Sequence, residues 1–320
     1  MRGFTIYAYP HWQRRERRVG QIELGICLPT EATAWADRML DSAADAIAFY
    51  VKEYAPFPSR HLDIICPGSV NGPAHGSSAA CNVITMFLGG RFEDQYRQLI
   101  AHEVAHQYWG NAIGLPRNSI GWVPVGLGLM MDEHYAVTRG LDATLGRKIM
   151  REFYFRAEKM GFDTTLSQPL EQPLQSPPPW SFGWNMSLMH GKGYAVCSLL
   201  RDLLGAEKFQ GVIRKLIKEY SGGVIHDGDL IAACESALGK RLDWFTAEWV
   251  NGRATLDYAI SAVNKSHDGW DVAVTRVGTA GFPVMVEVVT KSGERFRQRA
   301  NRTQAIDTLH FKTTGAIKAA

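Results

Sequence analysis

The chain has 320 residues, 46% of them hydrophobic and 21% charged, with a formal net charge of +3. That length suits roughly two domains whose core needs no disulfide staples, and so mild a positive balance argues against a nucleic-acid partner. The five cysteines, Cys27, Cys66, Cys81, Cys197 and Cys234, are odd in number and widely spaced, which argues against a disulfide framework or a cysteine zinc site and for buried thiols.

Residues 1–10 read as a strand and lack the apolar stretch of a signal peptide. No run approaches the ~20 apolar residues of a membrane helix. Localisation is otherwise unknown, with the cytoplasm as the default expectation. Residues 1–28 are expected to form strands around a turn at the basic run 14–18, a solvated hairpin tip, and to be the β stub of an upstream domain. Thr30 then reads as the N-cap of a helix over residues 31–54, which Pro56 and Pro58 end. Residues 61–66 predict a short buried strand, the Gly/Ser/Ala-rich stretch 68–80 a loop, and residues 82–88 a second strand that Gly89 and Gly90 stop. Helices are expected over 92–109, 125–139 and 143–160, with a loop at 110–123. A proline-rich connection at 166–179 has the length of a functional lid. Residues 188–250 read as helical, broken at Gly205, Gly222-Gly223 and Gly239-Lys240. Beyond Ala254 the period falls to two, with Val272, Val274, Val284, Val286 and Val288 alternating, as in a small β-domain. The start inside a strand and the end at Ala320 read as a piece cut from a longer protein.

The chemistry is concentrated at His102-Glu103-Val104-Ala105-His106. On a helix of ~3.6 residues per turn, positions i and i+4 share a face, so both imidazoles can reach one metal ion at ~2.0–2.1 Å. Glu103 follows the first histidine and can act as general base toward a water. Two histidines and a carboxylate on an apolar helix are seldom buried together without a partner ion.

The motif continues as Gln107-Tyr108-Trp109-Gly110-Asn111. Trp122-Val123-Pro124-Val125-Gly126-Leu127-Gly128, His190-Gly191-Lys192-Gly193-Tyr194-Ala195 and Trp249-Val250-Asn251-Gly252 follow in order. Together these pieces resemble the membrane alanine aminopeptidase family of gluzincin zinc metallopeptidases, from about Tyr7 to Tyr258. The resemblance implies an α+β fold. A thermolysin-like metallopeptidase domain, a small mixed sheet plus a mostly helical half, would carry a C-terminal β-domain. The expected divisions are a stub at 1–28, a catalytic domain at 29–255 and an incomplete β-sandwich-like domain at 256–320. It also implies Zn²⁺ held by His102 and His106, with Glu103 as catalytic base and a peptide as substrate.

Three departures qualify the resemblance. The family's third zinc ligand is a glutamate 19 residues beyond the second histidine; here 125 − 106 = 19 and the residue is Val125, which cannot coordinate, so zinc is expected to be weak or substoichiometric. Asp132 lies seven residues on and is expected to orient His102; a ligand role for Asp132 or Glu133 would need a shifted helix. The position of the family's oxyanion-stabilising tyrosine holds His190, for which three roles stay open: catalytic donor to the oxyanion, third metal ligand, or a histidine in a polar pocket doing neither. The stretch 72–82, where the family grips a substrate α-amine with a glutamate, contains His75 and no carboxylate. Aminopeptidase specificity therefore does not carry over, although residues 82–88 could form an edge strand for an extended peptide. Two function classes remain: a zinc peptidase with an altered metal shell, and a catalytically impaired pseudo-peptidase that binds peptides or a partner. Trp109, Trp122, Trp180 and Trp184 are expected in the core rather than in a cleft.

Overall fold

A computed structural model describes residues 11–67, 77–88, 94–116, 119–159, 165–167 and 186–319. The chain divides into two compact units, Met1–Asp243 and Trp244–Ala320, a boundary some dozen residues before the one the sequence suggests.

The first unit starts with a mixed five-stranded sheet in the order β1-β2-β3-β5-β4. Its strands are β1 (Trp12–Val19), β2 (Ile22–Pro29), β3 (His61–Ile65), β4 (Ser77–Ala80) and β5 (Val83–Met86). The β2–β3 and β3–β5 pairs are parallel; the outer two are antiparallel. The first two strands, expected as a stub, are thus joined to the rest of the sheet through β2. The turn between them lies at Gly20, in the left-handed region at φ 60°, and not at the basic run. Those arginines belong to β1 itself, an edge strand, where charge discourages unwanted pairing. Arg15 and Arg17 reach Asp37 and Asp41 on the first helix, and Arg14 reaches Asp63 on β3 at 2.7 Å. Ser77–Ala80, read from sequence as loop, pairs with β5 as the other edge strand. Consequently β5 is internal and β4 is the edge. Nothing in the small, weakly apolar Ser-Ser-Ala-Ala run signals a strand; pairing across the tight turn at Asn82 (φ 64°) imposes it.

Helix α1 (Ala36–Glu53) follows a 3₁₀ turn, Thr30–Trp35. Thr30 does not cap it: its hydroxyl donates to the His11 carbonyl at 3.0 Å. Then come α2 (Asp94–Ala105), α3 (Trp122–Thr138) and α4 (Ala143–Lys159). Helix α3 begins three residues earlier than the sequence suggests because Pro124 is accommodated in its first turn, where a missing N–H costs nothing. It is buried from Trp122 through Glu133, as expected of a helix apolar all round. A π-helical segment, Met186–Lys192, runs directly into α5 (Gly193–Leu204), and α6 (Ala206–Tyr220) and α7 (Asp227–Leu238) complete the unit. Trp109 and Trp122 are fully buried; Trp180, Trp184 and most of the proline-rich connection lie outside the described residues. No helix among the described residues is long and apolar enough to cross a membrane. All five cysteines are unbridged; Cys66, Cys197 and Cys234 are buried.

The second unit holds two three-stranded antiparallel sheets, ordered β10-β7-β6 and β11-β8-β9. The strands are β6 (Tyr258–Lys265), β7 (Trp270–Arg276), β8 (Met285–Thr290), β9 (Arg295–Arg299), β10 (Ile306–Phe311) and β11 (Ile317–Ala319). The alternating valines face one shared core: Val272 and Val274 from one sheet meet Val286 and Val288 from the other, with Leu309 and Phe311.

Two glycine contacts fix the helices around the motif. A Cβ at Gly126 on α3 would stand 2.7 Å from Cys197 Sγ and 2.9 Å from the Gly193 carbonyl oxygen, so α3 and α5 cross almost backbone to backbone. A Cβ at Gly191 would stand 2.6 Å from the Tyr154 backbone nitrogen, which seats the π-helical segment on α4. Gly191→Ala is therefore expected to destabilise the protein by about 1–3 kcal/mol through overpacking. Gly211→Ala, on α6 with nothing within 4 Å of the added carbon, should be neutral or stabilising by about 0.5–1 kcal/mol. Urea denaturation of the two variants checks both signs.

Candidate metal and catalytic site

Helix α2 is held from three sides. The Tyr50 hydroxyl of α1 donates to the Ala101 carbonyl at 3.0 Å. At the helix end, Gln107 accepts from the Asn82 backbone N–H at 3.0 Å and donates to the Ala80 carbonyl at 3.2 Å. This clamps the β4–β5 hairpin to the motif. On the third side lies α3: a Cβ at Gly128 would stand 3.8 Å from His106 Cε1, and Asp132 touches His102.

His102 and His106 lie one turn apart with ring centroids 4.6 Å apart. Their Nε2 atoms face each other at 3.1 Å. His106 Nδ1 must carry a proton, because its partner at 3.0 Å is the Trp109 carbonyl oxygen, which can only accept. His102 Nδ1 stands 2.7 Å from Asp132 Oδ2 and donates to that carboxylate. With both Nδ1 positions protonated, both neutral rings present lone pairs at Nε2, aimed at one point. Lone pairs that close need a cation between them, either a proton or a metal. Two Zn–N bonds of ~2.0–2.1 Å meeting at ~95–110° span about 3.0–3.4 Å, so the pair fits a zinc ion. Burial alone would lower the His102 imidazole, but its bond to Asp132 outweighs this and holds it above its ordinary value. Burial and the neighbouring His102 push His106 down to about 4.

Glu103, 3% exposed, accepts from Ser77 Oγ on β4 through Oε1 at 2.5 Å. Its Oε2 is buried with no hydrogen-bond partner among the described residues, which suits a carboxylate oxygen awaiting a proton. Val125 is buried on α3 and supplies no donor. Neither acid farther along α3 replaces it. Asp132 is committed to His102. Glu133 accepts from Arg147 at 2.6 Å, Arg201 at 2.9 Å and Tyr194 at 2.5 Å. His190 comes in from the π-helical segment, its ring centroid 6.3 Å from that of His102. Lys192 is buried at the start of α5, and His75 lies outside the described residues. Among the described residues no three His, Cys, Asp or Glu side chains already stand as a metal-holding group.

A model of the peptidase family M1 domain matches residues 89–249. The chain belongs to that family. The resemblance drawn from the motifs is thereby borne out. Tricorn protease-interacting factor F2 of Thermoplasma volcanium is 25% identical over 281 residues, which cover 80% of this chain and 34% of that protein. Aminopeptidase M1-C of Oryza sativa subsp. japonica is 25% identical over 249 residues, 72% of this chain and 26% of that protein. Human endoplasmic reticulum aminopeptidase 2 is 26% identical over 127 residues, 39% of this chain and 13% of that protein. The chain thus spans about a third or less of the length of the M1 relatives it matches.

Three contacts of this M1 site were not read from the sequence: Ser77 on Glu103, the Gln107 clamp, and the Trp109 carbonyl on His106. Gln107 and Trp109 stand in the extended motif, but only the fold shows what they hold. Ser77 carried no signal, because its stretch reads as loop.

Burial alone would raise the Glu133 carboxyl; Arg201, Tyr194 and Arg147 outweigh it and hold it below the usual glutamate range. Its contribution is therefore full above that range and lost as pH falls through the lowered value. Arg147 is half exposed, so the pair is discounted for screening. Glu133→Gln is expected to cost about 1–3 kcal/mol near pH 7, with the gap to the native protein closing as pH falls below ~4. Urea titrations at several pH values read this directly.

Proposed function

We propose that this chain is a zinc-dependent metallopeptidase of thermolysin-like fold, with His102 and His106 holding the metal and Glu103 as general base. The observation that carries the reading is the pair of Nε2 lone pairs converging at 3.1 Å beside the buried, unpartnered Oε2 of Glu103. Zinc bound there would polarise the scissile carbonyl and ease the deprotonation of water at neutral pH. Glu103 Oε2 would take the proton of the attacking water and deliver it to the leaving amine. Ser77, donating to Oε1, leaves Oε2 as the buried oxygen without a hydrogen-bond partner among the described residues. Asp132 and the Trp109 carbonyl keep both Nδ1 atoms protonated, so that both Nε2 atoms keep a lone pair for the metal. Edge strand β4 offers backbone groups along which an extended peptide can lie.

The substrate is a peptide. Its free amino terminus is not the expected handle, since Ser77, Ser78, Ala79 and Ala80 on the edge strand carry no charge to pair with an ammonium group. The Thermoplasma volcanium relative is named for interaction with a protease, which supports a protein partner for this chain as well.

One observation favours a second reading, a peptide-binding pseudo-peptidase: Val125 stands where a donor is needed. Internally quenched peptides assayed with added zinc separate the two. The proposal expects turnover that Glu103→Gln reduces by about 10²-fold or more while zinc content stays unchanged. Peptide binding without turnover in the native chain, unaffected by Glu103→Gln, would establish the binding module instead.

A further inference from the structure

We propose that His190 is the third donor to the metal, making this a three-histidine site; the inference rests on the zinc reading above. The α3 face that meets the motif comprises residues 125, 128 and 132, at i, i+3 and i+7. Gly128 lies against His106, and Asp132 against His102. That face therefore presents an aliphatic chain, a hydrogen and one carboxylate. The carboxylate is already spent on His102 Nδ1, so α3 has no donor to give. A catalytic zinc site ordinarily needs three protein ligands; the third must come from another element.

The fold brings one there. The close crossing of α3 and α5 at Gly126 and Gly193, and the seating of Gly191 on α4, carry the π-helical segment alongside the first turn of α3. A Cβ at Gly121, just before α3, would stand 3.4 Å from Met189 Sδ, next to His190. π-helical turns inside α-helices often mark functional positions, because the extra residue re-aims a side chain. Here the re-aimed side chain is an imidazole 6.3 Å, centroid to centroid, from His102. A coordinated imidazole has its centroid ~3.2 Å from the metal, so two rings at a tetrahedral angle stand about 5.2 Å apart. His190 stands about 1 Å beyond that distance from His102. Because the three rings do not already converge, binding must draw His190 inward, and affinity should lie below that of a preformed site.

The test measures zinc affinity by competition with a chromogenic chelator, and the visible spectrum of the Co²⁺-loaded protein. The expectation is one zinc per native chain, a more than ~10-fold loss of affinity in His190→Phe with a changed Co²⁺ spectrum, and recovery in Val125→Glu/His190→Phe. Recovery in the double variant shows that loss in the single one is not misfolding. Unchanged affinity and an unchanged Co²⁺ spectrum in His190→Phe would overturn the assignment and leave the zinc reading standing. Absence of zinc from the native chain, with binding in Val125→Glu, would overturn both.

Discussion

Two imidazole lone pairs aimed at one another across 3.1 Å are the constraint on which the rest of this molecule's chemistry depends. Neither ring can turn away. The Trp109 carbonyl fixes the tautomer of His106, and the Asp132 carboxylate that of His102. In water such an arrangement would relax at once; inside a packed helix pair it persists and creates local demand for positive charge. Burial alone would lower His102, but Asp132 and Glu103 raise it, while burial and His102 lower His106. A divalent cation held by both nitrogens, as proposed above, would answer that demand.

The surrounding structure serves to keep this geometry. Helix α3 is central: it orients one histidine through Asp132, packs against the other at Gly128, and crosses α5 at a glycine contact. Its acid Glu133 is enclosed by Arg147 and Arg201 and by the Tyr194 hydroxyl, which ties α3 to α4 and α5. The sheet contributes at one edge. Gln107 binds the β4–β5 hairpin to the end of α2, and Ser77 on that hairpin donates to the Glu103 carboxylate. The frame around the two histidines is thus held by α1, α3 and the β4–β5 hairpin, with the aliphatic Val125 buried on α3.

Much of this was legible in the sequence. The i, i+4 spacing of His102 and His106 placed them on one face, because helical periodicity is local and needs no tertiary information. The extended motif and its ordered companions identified the M1 family. Val125 was matched to the ligand position through the family resemblance, and its inability to coordinate follows from its chemistry. Alternating valines from Val272 to Val288 announced the β-unit. Other features depended on long-range pairing. Ser77–Ala80 becomes a strand only because β5 lies beside it, so its polar, small residues gave no periodic signal. The arginines of β1 looked like a solvated turn because their partners Asp37, Asp41 and Asp63 lie up to 49 residues away. Thr30 had the right chemistry for a cap, but the intervening 3₁₀ turn moved the helix start beyond its reach.

The most direct measurement is anomalous diffraction at the zinc absorption edge from crystals of this chain grown with zinc. A single strong peak is expected about 2.1 Å from Nε2 of both His102 and His106, with Asp132 still on His102 Nδ1. Absence of any peak there, with the two rings turned to separate hydrogen-bond partners, would contradict the zinc reading.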